Sequence, residues 1–245
     1  MLAYGLVAYL VFLGTCCVFV AFVTGLLPGR SVDAGPLVPA LRALAVDLCL
    51  LFGFALLHLL IARSPIRLRS RLGTLPIRRS TLLLLWAAWL WFLMAGWLPL
   101  PDEVWKAESP WLVAALAGLC AFGWLLALWA TFWIDHLDLL GIRQAVLFWS
   151  HRAYRPVPFQ VEGAYRFVRH PMMLGAVLGL WSTPTMSLGH LLIASVATGY
   201  IAAVAAIEER TLANELGEPY RRYLVRVPAF LPRLRPRRRG GLRRR

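Results

Sequence analysis

The chain has 245 residues, 60% of them hydrophobic and only 16% charged, and its mean hydropathy is +0.65. A water-soluble domain of this size would not be so apolar, so the composition excludes an ordinary soluble enzyme and indicates a multi-span membrane protein. The net charge of +14 is an arginine excess, because Lys106 is the only lysine, and it gathers in particular loops and in the tail.

Residues 3–27 form the first apolar stretch. No basic segment precedes it, so it reads as a retained span and not as a cleaved signal peptide. Residues 39–62, 80–99 and 111–134 follow as three more spans, each long enough at 1.5 Å per residue to cross a hydrocarbon core of about 30 Å. Asp47 and His58 lie inside the second, eleven residues apart and so roughly on one face. An ionisable residue at membrane depth is a candidate functional group, and the alternative, which is preferred here, is a polar contact to a neighbouring helix. Cys16, Cys17, Cys49 and Cys120 all fall in apolar runs with no metal-ligand spacing, which predicts free, buried thiols and no metal site.

Arginine asymmetry sets the expected orientation. Residues 63–79 carry Arg63, Arg67, Arg69, Arg71, Arg78 and Arg79 with no acid, whereas residues 100–110 carry Asp102, Glu103 and Glu108 against Lys106. The first loop is then cytoplasmic and the second external, and both termini are cytoplasmic. Trp97, Trp105 and Trp111 bracket the external loop as an interfacial belt does.

After the fourth span comes Asp135-His136-Leu-Asp138, then Arg143-Gln144. A carboxylate beside an imidazole can orient it, but a wet helix end often holds the same residues. Residues 150–162, with Pro156 and Pro158, read as a lid-like connection, and His151 as solvated. Arg169-His170-Pro171 is a helix start, with proline where its missing N–H costs nothing. Such a start also offers free N–H groups and a positive dipole end to an anion. Residues 172–207 carry no formal charge. As one helix they would be about 54 Å long, so they must break, and Ser182-Thr-Pro-Thr-Met-Ser-Leu-Gly189 supplies the break. The result is a helical hairpin with a short first leg. Glu208-Glu209-Arg210 closes the apolar run. Its ordinary reading is a solvated turn, and adjacent helical side chains point roughly 100° apart, so the two carboxylates need not share one ligand. Gly217-Glu-Pro219-Tyr220-Arg-Arg-Tyr223 predicts a short helix begun by Pro219, with both tyrosines facing one way. Eight arginines fill residues 233–245 without interleaved aromatics, which argues for electrostatic contact with anionic headgroups, not for nucleic-acid binding.

Assembled, these readings predict an all-α, multi-pass membrane bundle of five to six helices: a scaffold at 1–134, a catalytic and cofactor-binding region with the helical hairpin at 135–232, and a disordered Arg-rich tail at 233–245.

Gly163-x-Tyr165-x-x-x-Arg169-His170-Pro171, a long apolar run, Glu208-Glu209, then Gly217-x-x-Tyr220-x-x-Tyr223 and Pro228 together resemble the isoprenylcysteine carboxyl methyltransferase superfamily, integral membrane enzymes that use S-adenosylmethionine. The superfamily has an aromatic two residues after the proline, where this chain has Met173. Residues 131–144 and 181–190 resemble its methanethiol S-methyltransferase branch, which also includes membrane proteins linked to nitrite and nitric-oxide reduction. The resemblance implies methylation of a small apolar thiol, methanethiol to dimethyl sulfide, in a bacterial cytoplasmic membrane, from a cofactor pocket on the cytoplasmic side. It implies cofactor contacts from Tyr165, Arg169, His170, Leu174, Gly175, Glu208, Glu209 and Tyr220, with Gly175 admitting close backbone approach. Arg143, Gln144 and Thr183 become candidates for the substrate side. His136 beside Asp135, and His190 at the helix break, are candidates for the base that activates the thiol. His136 ranks first, because His190 lies toward the outer side. Methylation of a prenylcysteine or other lipid, and a non-catalytic accessory role in nitrogen-oxide reduction, are the alternatives.

Overall fold

The computed structural model describes residues 1–62, 78–155 and 157–232. Arg63 to Arg71 of the basic loop, Pro156 and the arginine tail at 233–245 lie outside the described residues.

Among the described residues five long apolar helices cross the molecule: α1 (Leu2–Val23), α2 (Ala40–Ala62), α3 (Arg78–Gly96), α4 (Pro110–Phe132) and, after a shorter α7 (Pro171–Trp181), α8 (Leu188–Leu216). Most of their side chains point outward, and they are apolar. Outward-facing leucine, phenylalanine and tryptophan would be a liability in water and are the natural surface in lipid. The chain is an integral membrane protein. Cys17 and Cys49 sit on this outer surface, not in the interior as the apolar runs suggested, because in a bundle of spans apolar sequence faces lipid as well as neighbours.

Two short helices, α5 (His136–Leu139) and α6 (Ile142–Trp149), and a 3-10 turn at Gly163–Arg166 connect α4 to α7, and α9 (Glu218–Arg226) follows α8. One two-stranded antiparallel ribbon pairs β1 (Glu103–Lys106) with β2 (Thr185–Ser187). The sequence reading placed only a break at 182–189. The freed backbone there is satisfied by the external loop: Ala107 N–H donates to Pro184, Leu188 N–H to Asp102 and Gly189 N–H to Leu100. Membrane-depth irregular backbone needs such partners.

The break leaves α7 about 16 Å long and α8 about 43 Å. Helix α7 packs most extensively on α4. The reason is glycine. A Cβ at Gly175 would lie 2.5 Å from the Ala127 N and Gly123 O, and one at Gly123 would lie 2.5 Å from the Gly179 N. Gly175-x-x-x-Gly179 faces Gly123-x-x-x-Ala127, the small-residue pattern that lets two membrane helices touch backbone to backbone. Gly175 therefore brings α4 close.

The bundle has two ends. The ribbon end gathers the C-termini of α1, α3 and α7 with the N-termini of α2, α4 and α8. Its core is Phe22, Val32, Leu50, Leu93, Trp97, Leu180 and Ile193. The opposite end gathers the remaining termini with α5, α6 and α9.

Candidate functional site

Helix α8 does not stop at the charged pair; it continues through Glu208 and Glu209 to Leu216. Gly217 then adopts φ +65° and ψ −137°, a backbone state reserved for glycine, and turns the chain into α9. Helix α9 begins with proline in its first turn and buries Tyr220 and Tyr223. Leu212, Ala213 and Leu216 of α8 pack against those tyrosines. The chain before α7 is held here too. Arg169 N–H donates to Pro228 O and His170 N–H to Ala229 O, so the stretch before Pro171 pairs with the stretch after α9.

This packing brings together Tyr165, Arg169, His170, Glu208, Glu209 and Tyr220. Glu209 Oε1 accepts from Arg169 Nε at 2.8 Å and from His170 Nε2 at 3.0 Å. Arg169 Nη1 donates to Leu224 O at 2.7 Å and Val227 O at 2.6 Å, which satisfies carbonyls at the C-terminus of α9. Arg169 is thus a clamp between α8 and α9. It does not reserve a free planar fork for a ligand carboxylate on its Nε and Nη1 sides. Glu208 is different. Its contact within ion-pair distance among the described residues is the His170 ring, Nδ1 at 3.8 Å, and its side chain is 47% exposed against 21% for Glu209. The adjacent carboxylates do diverge: one is consumed internally and one is presented.

Aromatic rings close the cluster. Tyr220 and Tyr223 lie 5.7 Å apart, and Phe159 of the 150–162 connection packs on both. Tyr223 donates to Tyr165 O at 2.7 Å. Burial, then the nearby Glu209 and Glu208 charges, push the Tyr220 hydroxyl up to about 12. Burial raises Tyr223 to about 12 as well, and Tyr165 is raised by burial, Glu208 and Tyr223. These phenols therefore stay protonated at neutral pH and act as donors and ring faces, not as bases. A presented carboxylate set among tyrosine and phenylalanine faces suits a cationic ligand, by charge and by ring quadrupole. Leu174, half-buried in the first turn of α7, is adjacent; Gly175 is turned to α4.

The other predicted residues are elsewhere. His136 is buried, stacked on Phe132 at 4.2 Å between ring centres. Thr131 donates its single hydroxyl proton to Leu128 O, so it accepts from His136 Nδ1–H at 2.7 Å. Nε2 then accepts from the Tyr9 hydroxyl at 3.0 Å. Both ring nitrogens are engaged by neutral groups, and burial, against the pull of Asp135, lowers the imidazole below its ordinary value. Asp135 does not orient this ring; its Oδ1 caps α5 by accepting from Asp138 N–H at 2.9 Å.

Arg143 and Gln144 point at Asp138, which the sequence reading noted but did not select. Asp138 is the hub at this boundary. Its Oδ1 accepts from Arg143 at 3.2 Å and Gln144 at 3.1 Å, and its Oδ2 from Arg79 at 2.8 Å and Tyr154 at 3.3 Å. A carboxylate with this many donors ties α3 to the 135–154 connection. The available signal was an acid five and six residues before an Arg-Gln pair.

His190 and Thr183 sit at the ribbon end. His190 Nε2 donates to Leu180 O at 2.7 Å, and its own N–H is capped by Ser187, which in turn bonds Asp33. Thr183 donates to Thr185 O at 2.7 Å. Eighteen residues of continuous helix separate His190 from Glu208, about 27 Å. No small ligand spans that.

A protein of Mycobacterium tuberculosis named methanethiol S-methyltransferase is 40% identical over 230 residues, covering 94% of each chain. A Crocosphaera subtropica protein of the same name is 35% identical, over 94% of this chain and 91% of that one. The chain belongs to the methanethiol S-methyltransferase family. A Xenopus laevis protein named nurim is more distant, 29% identical over 74% of this chain and 67% of its own. No protein-family model and no solved structure matches the chain. Family membership bears out the methanethiol S-methyltransferase resemblance read from residues 131–144 and 181–190.

Proposed function

We propose that this protein transfers a methyl group from S-adenosylmethionine to methanethiol, forming dimethyl sulfide. The observation that carries the reading is the 40% identity over 94% of both chains to a protein bearing that activity in its name. The convergence of Tyr165, Arg169, His170, Glu208, Glu209 and Tyr220 on one cluster supports the same reading, and that cluster is the proposed donor site.

The donor is a sulfonium with an ammonium and a carboxylate, and it supplies an activated methyl group. Glu208, presented and nearly unpaired, suits its positive groups. The ring faces of Tyr165 and Tyr220 suit the sulfonium. Arg169 and His170 hold Glu209, so the presented carboxylate keeps a fixed neighbour and the α8–α9 corner keeps its shape. Residues 135–232 form the donor-binding region on a scaffold made by 1–134.

The end carrying this cluster also carries Arg78, Arg79, Arg143, Arg152 and Arg155, and the ribbon end carries Asp102, Glu103 and Glu108. By the positive-inside rule the cluster faces the cytoplasm of a bacterial cell, with both termini inside. The arginine tail then meets anionic headgroups, at about 1 kcal/mol per charge near the surface.

The test is incubation of the purified protein with methyl-labelled S-adenosylmethionine and a panel of methanethiol, longer thiols and prenylcysteines. Labelled dimethyl sulfide is the expected product. Labelling of the prenylcysteine alone, or no donor binding at all, contradicts the proposal.

A further inference from the structure

One open-sided cavity of about 270 Å³ lies between the helices, lined by Phe12, Phe54, His58, Trp86, Leu90 and Met173 with Tyr200, Ile201 and Val204, all half-buried. Its walls come from α1, α2, α3, α7 and α8. Two of these residues carry a buried polar atom, His58 Nδ1 and Trp86 Nε1, with no hydrogen-bond partner among the described residues. The His58 ring lies 5.1 Å from the Trp86 ring and 5.6 Å from the Tyr200 ring, so aromatic contacts fix it in place. Unpaired polar atoms at membrane depth are costly, because no water stands in for the missing partner. One orphan is an obligate donor, the indole N–H, and the other is an imidazole nitrogen able to take a proton.

The cavity adjoins the carboxylate cluster. Val204 and Glu208 are four apart on α8, so they share a face one turn, about 6 Å, apart. Met173 lies in the first turn of α7, two residues after Pro171. The volume falls just below the roughly 300 Å³ at which pockets for drug-sized ligands begin, so it suits a molecule of few heavy atoms. A second cavity at the ribbon end, lined by Phe22, Leu27, Trp91 and Met94, lacks these features: its one charged residue, Arg30, is spent on the carbonyls of Met94, Ala95 and Trp97.

We infer that this cavity is the binding site for a small apolar thiol, with His58 Nδ1 as the proton acceptor and Trp86 Nε1–H as the donor to the sulfur. The inference rests on the proposed methyl transfer. The S–H bond breaks, its electron pair stays on sulfur, and the proton passes to Nδ1. The Trp86 N–H holds the resulting thiolate, which is the nucleophile that the transfer requires. The imidazolium later returns its proton to water. Phe54, Leu90 and Met173 set the length of thiol that fits.

The site is tested first without any donor. Val204→Cys, in the full chain with the four native cysteines replaced by serine, is labelled with N-ethylmaleimide while dimethyl sulfide is titrated. Dimethyl sulfide at ~10 Kd is expected to slow labelling at position 204 about tenfold by occupancy. Unchanged labelling at saturation overturns the site, whether or not the wild type turns over. A wild type that forms no dimethyl sulfide yet shows protection refutes the parent proposal and upholds the cavity. Phe54→Ala is then expected to raise kcat/KM for butanethiol relative to methanethiol by about tenfold or more, as apolar pockets discriminate by methylene. An unchanged ratio overturns the lining. His58→Asn is expected to lower kcat on methanethiol by about 10² or more with donor affinity intact, and to lose much less on the more acidic trifluoroethanethiol. Equal losses on both thiols overturn His58 as the proton acceptor.

Discussion

At the ribbon end, Phe22, Trp97, Met186 and Ile193 are almost fully buried, and most polar groups among them are spent on neighbours: Trp97 donates to Val32 O, His190 donates to Leu180 O, and Asp47 accepts from Leu98 N–H through Oδ1 while its buried Oδ2 stays unpaired among the described residues. At the opposite end the buried rings are tyrosines, a cavity interrupts the packing, and Glu208 stands nearly unpaired. Both ends hold a histidine beside a carboxylate, so residue types alone do not separate them. What separates them is whether the incompletely paired group can be reached: Asp47 is fully buried, and Glu208 is presented. A polar group whose partners are backbone carbonyls and caps builds the fold; one presented without a partner is available for a ligand.

The largest way to break this contrast is at its joint. Arg169→Lys cannot replace a guanidinium that bonds Glu209, Leu224 and Val227 at once. Loss of these charge-assisted bonds is expected to cost about 3 kcal/mol or more and to abolish donor binding, read as the thermal midpoint and as affinity. A lysine variant with wild-type values would show that the α8–α9 corner does not depend on the clamp.

Gly175→Ala comes next. Its Cβ would strike α4 backbone, so about 1–3 kcal/mol of destabilisation is expected, while Gly118→Ala, where nothing lies within 4 Å, should be neutral or gain about 0.5–1 kcal/mol of helix propensity. Equal effects from the two substitutions would sink the account of α4–α7 contact.

His136 sharpens the contrast within one end. It is held neutral, with its folded value below the ordinary 6.5. Between the two values the unfolded chain binds the extra proton, so stability is complete above about pH 6.5 and falls as pH drops through that window. His136→Asn should flatten this acid loss. A thermal midpoint that falls as steeply with acid in the variant would show that His136 is not its source. Smallest is Thr183→Val, expected to cost about 1 kcal/mol for one hydroxyl bond and nothing in donor affinity.

Much of this was legible in the sequence. Span lengths, arginine asymmetry and Pro184 with Gly189 gave the helices, the two ends and the break, because hydrophobic thickness and backbone satisfaction leave few choices. The spaced blocks at 163–171, 208–209 and 217–228 gave six residues that do meet. What stayed hidden depends on distance in space. Nothing in the residues near Gly175 says that Gly123 lies opposite it. Nothing near His136 says that Tyr9, 127 residues earlier, takes its free nitrogen. The role of Asp138 requires Arg79 and Tyr154 from separate segments, and the pairing of 103–106 with 185–187 bridges two loops that each looked structureless alone.

The central claim is that the donor binds at the presented carboxylate and not at the ribbon end. Calorimetric titration of S-adenosylmethionine into purified wild type, Glu208→Gln and His190→Ala tests it most directly. The account predicts an affinity loss of about tenfold or more for Glu208→Gln, the worth of one charge-assisted contact, and wild-type affinity for folded His190→Ala. Wild-type affinity in Glu208→Gln, or lost binding in a folded His190→Ala protein, would contradict it.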